Sequence, residues 1–458
     1  MLETRCRGRS RSSTHRASFP FLVFVLAGAC TPDVGSNPTP TAMEVDLTAT
    51  PPRAPQPTAL IVNPQTGHID FSLAGTPIPD DCSMQQVLSE AECQFDQWLQ
   101  TLDGFPTVTP ASAPATGPLD PATLTLGQNV VVMGARQMAP AMDLEVGFDP
   151  AASALTLTPL TPWTLGEFYW VGVRGYANGV RDAGGGEVVG SPTMALLKQD
   201  EPLTCGATDP TAVDPHCPAF EVLVQGSPSP AAAAAQLFQL EAIRAAFIAG
   251  HGFDVMAGAG LPKEEIAVLW GFPIHTNSVP VLVPSAGAVP RVPAANQILV
   301  GVQGPVDPAT VSAFGAGGPP GPVVVVDLTA VATGDLAAAF PAVSANYVAN
   351  PSAIAIQASQ PFPPGHQLGL FFTNAIHSPD GKPLVASPVS VLLTLTAPLL
   401  DSSGLSAVSG LADAEAIPLE AGRAALAALF DSPFFTPMTG VSRANAVYVY
   451  GFLPMVQQ

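Results

Sequence analysis

The chain has 458 residues and a formal net charge of −20, from 16 Lys and Arg against 36 Asp and Glu. That length supplies two or three domains, since a single core stops growing at roughly 250–300 residues; the acidity excludes nucleic acid as a partner, because neutralising phosphates takes clustered basic side chains. Only 11% of residues are charged, whereas 47% are hydrophobic and 51 are Pro and 41 Gly, a balance that suits short strands and many turns, so the expected fold class is mainly β.

Arg5, Arg7, Arg9, Arg11 and Arg16 precede an apolar run over 19–29 and then Cys30. A basic region, a short apolar stretch and a small-residue exit are the parts of a secretory signal, and the run is too short for a bilayer, which takes about 20 residues. Residues 1–29 are therefore read as a leader. The exit, Leu26-Ala27-Gly28-Ala29-Cys30, resembles a bacterial lipobox, although Ala27 stands where Leu is commonest. The resemblance implies that Cys30 becomes a lipidated N-terminus with the membrane as partner, and Thr31 in place of Asp favours the outer membrane, with the body facing the cell surface or the periplasm. Residues 30–58, rich in Pro and Thr, read as an extended tether with a rise of about 3.1 Å per residue. No second run of 18 or more apolar residues follows.

Cys82 and Cys93 lie close together, as do Cys205 and Cys217. Two local disulfides are the economical pairing in an exported chain, although four cysteines allow three connectivities. Neither gap has the tight spacing of a zinc knuckle, and no metal or cofactor is expected.

The rest reads as two modules, 59–276 and 277–458, because three blocks recur. Gly117-Pro118-Leu119-Asp120-Pro121-Ala122-Thr123 returns as Gly304-Pro305-Val306-Asp307-Pro308-Ala309-Thr310. The aromatic segment Leu165 to Val173, its turn at Arg181-Asp182-Ala183-Gly184-Gly185 and Ser191-Pro192 return as Pro364 to Phe372, Ser378-Pro379-Asp380-Gly381 and Ser387-Pro388. Each predicts strand, tight turn, strand. Leu240-Glu241-Ala242-Ile243-Arg244 returns as Leu419-Glu420-Ala421-Gly422-Arg423; here Leu237, Leu240, Ile243 and Phe247 keep helical spacing, and Pro418 is expected in a first helical turn. A closing strand follows each, 266–272 and 446–452.

The Asp-Pro-Ala-Thr opening with its aromatic strand and Asp-Gly turn resembles the bacterial Ig-like domain of S-layer-type surface proteins, which implies tandem Ig-like β-sandwich modules with short helical insertions. With the helix, the Trp270-Gly271-Phe272 strand and Leu102-Asp103-Gly104-Phe105 added, the region from Ala59 onward is similar to the N-terminal half of bacterial surface lipoprotein lipases, the virulence-factor lipase group. That family continues into a hydrolase. A Gly-x-Ser-x-Gly elbow is what exposes such a serine; the nearest strings, Gly404-Leu405-Ser406 and Gly440-Val441-Ser442-Arg443, lack the second glycine, so no catalytic residue is carried over.

The remaining candidates are weaker. His68, His216, His251, His275, His366 and His377 are dispersed, with His366 and His377 expected at the surface. Gly315 to Gly321 precedes a strand instead of the helix N-terminus that a phosphate cradle needs. Glu264-Glu265 reads as a solvated turn after Pro262. Asp182 and Asp380 belong to turns where Asp bonds its own backbone. Trp170 and Trp270 are the candidate ligand-contact aromatics. The expected function is a lipid-anchored cell-envelope protein with a structural or ligand-binding, non-catalytic role toward an envelope or extracellular ligand. The alternatives are an esterase or lipase component whose hydrolase is missing or on another chain, and a glycan-binding surface protein.

Overall fold

Runs of Val, Ile and aromatic residues form the sheets, as expected where side chains stand on a pleated surface. The structure, a computed structural model, describes residues 40–47, 49, 53–84, 88–281, 291–293, 297–314 and 321–455; the leader, Cys30 and most of the 315–321 loop lie outside them. The first half has strands β1 (Ala111–Pro114), β2 (Val130–Gly134), β3 (Leu144–Asp149), β4 (Ala154–Pro159), β5 (Phe168–Arg174) and β6 (Ile266–Pro273). The second has β7 (Gln297–Gln303), β8 (Val323–Asp327), β9 (Val343–Ala349), β10 (Ser352–Ala358), β11 (Leu368–Thr373) and β12 (Ala446–Met455). Pairing runs β1-β4-β3 and β2-β5-β6, then β7-β10-β9 and β8-β11-β12, all antiparallel. One strand order is thus drawn twice.

The helices are α1 (Glu90–Leu99), α2 (Pro192–Leu197), α3 (Pro218–Gly226), α4 (Pro230–Ala249), α5 (Gly252–Gly258), α6 (Leu328–Thr333), α7 (Pro388–Thr394), α8 (Asp413–Phe430) and α9 (Phe435–Thr439). In each half one core lies between the two sheets, with Leu155, Val171 and Phe272 in the first and Ile354, Leu370 and Phe372 in the second. A further core lies between the second sheet and helices: Val131, Met133 and Trp170 meet Leu237, Leu240 and Phe247, and Val324 and Phe371 meet Phe430 and Phe435. Each half therefore has three layers, sheet, sheet and helix. This corrects the expectation of a mainly β chain: the structure is mixed α/β, with about 26% strand and 29% helix in five sheets. Strands buried on both faces read as continuous apolar runs whether a second sheet or helices cover them, so composition alone hides the helical layer. α4 is long and apolar enough by length and composition to cross a membrane, but its Leu237, Leu240, Ile243 and Phe247 are buried against the sheet.

The copied residues make copied bonds. Asp120 Oδ1 accepts from Ala122 N at 3.0 Å and Asp307 Oδ1 from Ala309 N at 3.0 Å, while the Asp120 and Asp307 amides donate to Arg181 O and His377 O at 2.9 and 2.8 Å. On the helices, Glu241 pairs with Arg244 at 2.8 Å and takes Leu203 N; Arg244 Nη1 donates to Gln199 O and Asp200 O. Glu420 pairs with Arg423 at 2.7 Å and takes Leu399 N; Arg423 Nη1 donates to Leu395 O and Thr396 O. Both pairs anchor the segment leaving α2 or α7 to the long helix.

One difference is compensated within the sheet. Trp170 faces Gly271 across the ladder, and Gly369 faces Gly451 at the corresponding place. Two residues along, the sizes reverse: the first half has Gly172 and the second Phe371. A Cβ on Gly172 would lie 2.7 Å from Met256 Sδ. Each strand carries one large ring toward the helices, at alternate positions.

Three local expectations are corrected. The tether does not run to residue 58: Met43 and Val45 are buried, and Ala42–Met43 pairs in parallel with Val189–Gly190, because Met43 and Val45 alternate with polar neighbours as an edge strand does. Pro418 lies inside α8, which begins at Asp413, and has no N–H to offer Ala414. The hairpin turns form, with Gly185 at φ 81° and Gly381 at φ 82°, but the return is a single bridge in each, Arg181 to Glu187 and His377 to Pro383. Ser191 and Ser387 then cap helices with Pro at the first position.

The two halves meet where β6 ends. Phe105 N donates to Pro273 O and His275 N to Phe105 O, and the backbone passes so close to Gly104 that a Cβ there would lie 2.7 Å from His275 N. Asp103 receives Thr276 N at 2.8 Å and lies 3.6 Å from Lys382 Nζ. Burial alone would raise the Asp103 carboxyl, but the Thr276 bonds, with Lys382 and His275 nearby, hold it below its ordinary value. Gln303 Nε2 donates to Trp163 O at 2.6 Å. His275 itself is 2% exposed with Nδ1 unpartnered, and burial pushes its pKa down to about 4 against the pull of Asp103.

Two predictions follow from these contacts. Arg423→Ala strands Glu420 and two carbonyls, and should lower unfolding free energy by about 2–3 kcal/mol in urea titrations, whereas Arg181→Ala, whose partner Glu187 is half exposed, should change it by under about 0.5 kcal/mol. His275 binds its proton more weakly folded than unfolded, so its contribution is complete above pH 6.5 and is lost as pH falls toward about 4, an expected loss of about 3 kcal/mol. His275→Gln should flatten that part of the stability–pH curve.

Candidate ligand-binding site

Between α2 and α4 the first half carries a loop stiffened by Pro210 and Pro215 and closed by Cys205–Cys217, with Cα atoms 6.0 Å apart. Asp209 Oδ1 accepts from both Thr211 N and Thr211 Oγ1 at 2.6 Å, and Asp214 Oδ1 accepts from His216 N at 2.9 Å. These bonds hold the loop's short turn at Pro210–Ala212. Cys217 sits at the N-cap of α3, and Pro218 begins the helix, where its missing N–H costs nothing.

α3 presents Phe220, Glu221, Val224 and Gln225 on one face, since residues four apart stand above one another. The first turn of α4 adds Pro230, Ala231 and Ala234, and the loop adds Pro210, Thr211, Val213 and Pro215, enclosing an apolar groove of about 740 Å³. Phe220 and Ala234 are buried and form its floor. Its polar side chains are those of Thr211, Glu221 and Gln225. No Lys or Arg lines it, and Glu221 lies 3.7 Å from His216 Nδ1 with both side chains exposed. The Pro-rich loop and the helix face together make an apolar container with one carboxylate, Glu221, in its lining. In the loop beside it, the hydrogen bonds from Thr211 hold Asp209 below the ordinary carboxylate range.

A smaller cleft of about 170 Å³ lies beside β2 and β3, bordered by Glu167, Trp163 and Tyr169. Glu167 is 3% exposed, and its carboxylate is filled by Arg136 N at 2.8 Å, Phe168 N at 2.9 Å and Gln137 N at 3.2 Å. At the corresponding corner of the second half Asp327 accepts from Ala330 N at 2.9 Å and holds His366 Nδ1 at 2.7 Å. Both carboxylates cap the chain as it leaves β2 or β8, so neither is available to a ligand.

The sequence-predicted residues fall as follows. Cys82–Cys93 and Cys205–Cys217 both form, the former with Cα atoms 5.6 Å apart. Trp170 and Trp270 are 4% and 3% exposed, one against Phe247 and the other between the sheets, which corrects their assignment as ligand-contact aromatics: rings of that size supply core area before they supply a platform. Glu264 and Glu265 lie in a turn at Lys263–Glu265, and Glu265 pairs with Arg174 at 2.7 Å. Asp182 receives Gly184 N and Gly186 N, and Asp380 receives Ser378 Oγ. His366 is at the surface as expected, its side chain 41% exposed, with Nδ1 2.7 Å from Asp327 Oδ2. Among the described residues no three His, Cys, Asp or Glu gather as metal ligands. The groove was missed by sequence reasoning; its available signal was a disulfide pair bracketing two prolines just before a short amphipathic helix.

No family model matches the chain, and no curated protein matches it in sequence.

Replacing Cys205 and Cys217 together by Ala should lower stability by about 3 kcal/mol, the entropy of a loop of this length. Hydrogen exchange should rise across 203–226 and leave β5 and β6 protected.

Proposed function

We propose that this is an exported, lipid-anchored protein of the outer membrane, in which two Ig-like modules form a non-catalytic scaffold that presents a groove to a small apolar cation. The arginine-rich leader, the lipobox-like segment ending at Cys30 and two disulfides support export, because disulfides persist in oxidising compartments. Two facing antiparallel sheets in each half support the Ig-like reading, with the helical layer as an addition to it.

The groove carries the binding role. Its volume falls in the range of small-molecule sites, and such sites are mostly apolar with a few polar groups that orient the ligand. Glu221 is the one charged side chain among the described residues that line it, and the whole chain is acidic. An apolar body with a positive head therefore fits where an anion of the same shape is repelled.

Calorimetric titration with octyltrimethylammonium and with octanoate tests this. The cation should bind and octanoate should not; Val224→Arg should abolish the heat, and Glu221→Gln should weaken binding about three- to tenfold. Equal binding of both amphiphiles, or of neither, would sink the reading. For the anchor, Cys30→Ser should move the protein from the membrane fraction to the soluble fraction, and its retention on membranes would remove lipidation from the proposal.

A further inference from the structure

α1 precedes every major strand of the first half, yet it packs on the second. Ala91, Phe95 and Trp98 meet Val391, Leu392, Leu395, Leu399, Val408 and Leu419. Ser89 Oγ donates to Ala407 O, and Glu92 Oε2 accepts from Ser409 N. Gln94 closes the contact in both directions: Nε2 donates to Thr396 Oγ1 at 2.7 Å, and Oε1 accepts from Thr396 N at 3.1 Å. At its other end α1 belongs to the first half, where Ile69 N donates to Leu102 O and His68 Nδ1 lies 3.1 Å from Thr101 O. The helix is a bracket between the halves. It covers Leu399 and Leu419 as α3 covers Leu203 and Leu240, so the second half borrows the helix that the first half encodes for itself.

The bracket carries an unusual pair. Glu92 and Asp96 stand four residues apart on one face, where like charges repel, and both are half-buried. Among the described residues nothing donates to the Asp96 carboxyl. Burial, with the charge of Glu92 added, pushes Asp96 up to about 7, and burial raises Glu92 against the pull of Ser409. The other ionisable groups on α1 and the elements packed against it do not relieve this. Glu90 receives Gln94, Asp81 receives Ser83, Asp401 receives Ser403 and Leu405, Asp413 receives Ser406, Arg423 is closed on Glu420, and Arg443 is closed on Asp431 and on the Thr394 and Leu395 carbonyls at the end of α7; Asp80 and Glu415 add only negative charge, and α7 has no ionisable residue.

We propose that α1 is a proton-controlled latch: with Asp96 protonated it clamps the second half's helical layer, and with Glu92 and Asp96 both ionised it releases, uncovering the Val391–Leu395–Leu399 strip. The sign follows from linkage. Asp96 binds its proton more tightly docked than free, so the hold is complete below the ordinary carboxylate value, is lost as pH rises toward about 7, and is level above it. His275 at the junction acts in the opposite sense and cannot imitate this.

Hydrogen exchange of the full chain, corrected for intrinsic rates, tests the latch between pH 5 and 8. Opening of 90–99 and 391–399 should increase at least threefold per pH unit from 5 to 7 and then flatten, while β5 and β6 stay protected. Asp96→Asn, which keeps the shape without the charge, should abolish the slope, and Glu92→Gln should reduce it if the first variant fails to fold. An unchanged protection of α1 across this range, or the same slope in wild type and both variants, overturns the proposal.

Discussion

Everything in this fold depends on two sheets, β2-β5-β6 and β8-β11-β12, being covered on both faces. A sheet in that position has no solvent side, so each strand must be apolar along most of its length, and each half must supply two covering layers. The facing sheet supplies one. The other comes from helices, most of which the chain inserts between the last two strands of the sheet, where α2 to α5 and α7 to α9 lie. The Glu241–Arg244 and Glu420–Arg423 pairs answer the difficulty this creates: an apolar helix laid on an apolar sheet slides unless something fixes it, and a guanidinium reaching two carbonyls in a fixed fork does so.

Much of this was legible in the residues. The Asp-Pro-Ala-Thr turn, the helical stripe and the closing strands were all visible, because each is a local device whose residue types determine its shape, whereas Ser191-Pro192 and Ser387-Pro388 were read with the strands and begin helices instead. The repetition itself was legible for the same reason: a turn copied with its capping aspartate folds the same way twice. The helical share was not, since Val323 to Val326 gives no sign of which partner lies on either side. Trp170 and Trp270 were misjudged from the same ambiguity, as a large aromatic in an alternating strand looks alike whether it faces a core or a ligand.

The groove and the α1 contact were hidden for a different reason. Both depend on which distant segment arrives at a surface, and a single chain carries no record of that. Phe220 and Val224 look like one more short amphipathic helix until α4 turns away from them. Ser89, Glu92 and Gln94 look like an ordinary capped helix until Ala407, Ser409 and Thr396 are beside them. The Trp170–Gly172 and Gly369–Phe371 exchange belongs here too: the motif comparison aligned the strands, but only the ladder register showed that ring and glycine had traded places.

The bracket made by α1 also sets an order of events. Ser89 and Ala407 are separated by 318 positions, so any delivery of the chain from its N-terminus produces the helix long before its seat. At synthesis rates of roughly 5–20 residues per second the interval is on the order of tens of seconds. During that time Ala91, Phe95 and Trp98 have no native surface to cover, and the crosslink from Cys93 back to Cys82 is the one long-lived constraint that α1 can acquire from its own neighbourhood. The first half can complete its sheets while its leading helix waits, but the second cannot finish its helical layer without reaching back to the start of the chain.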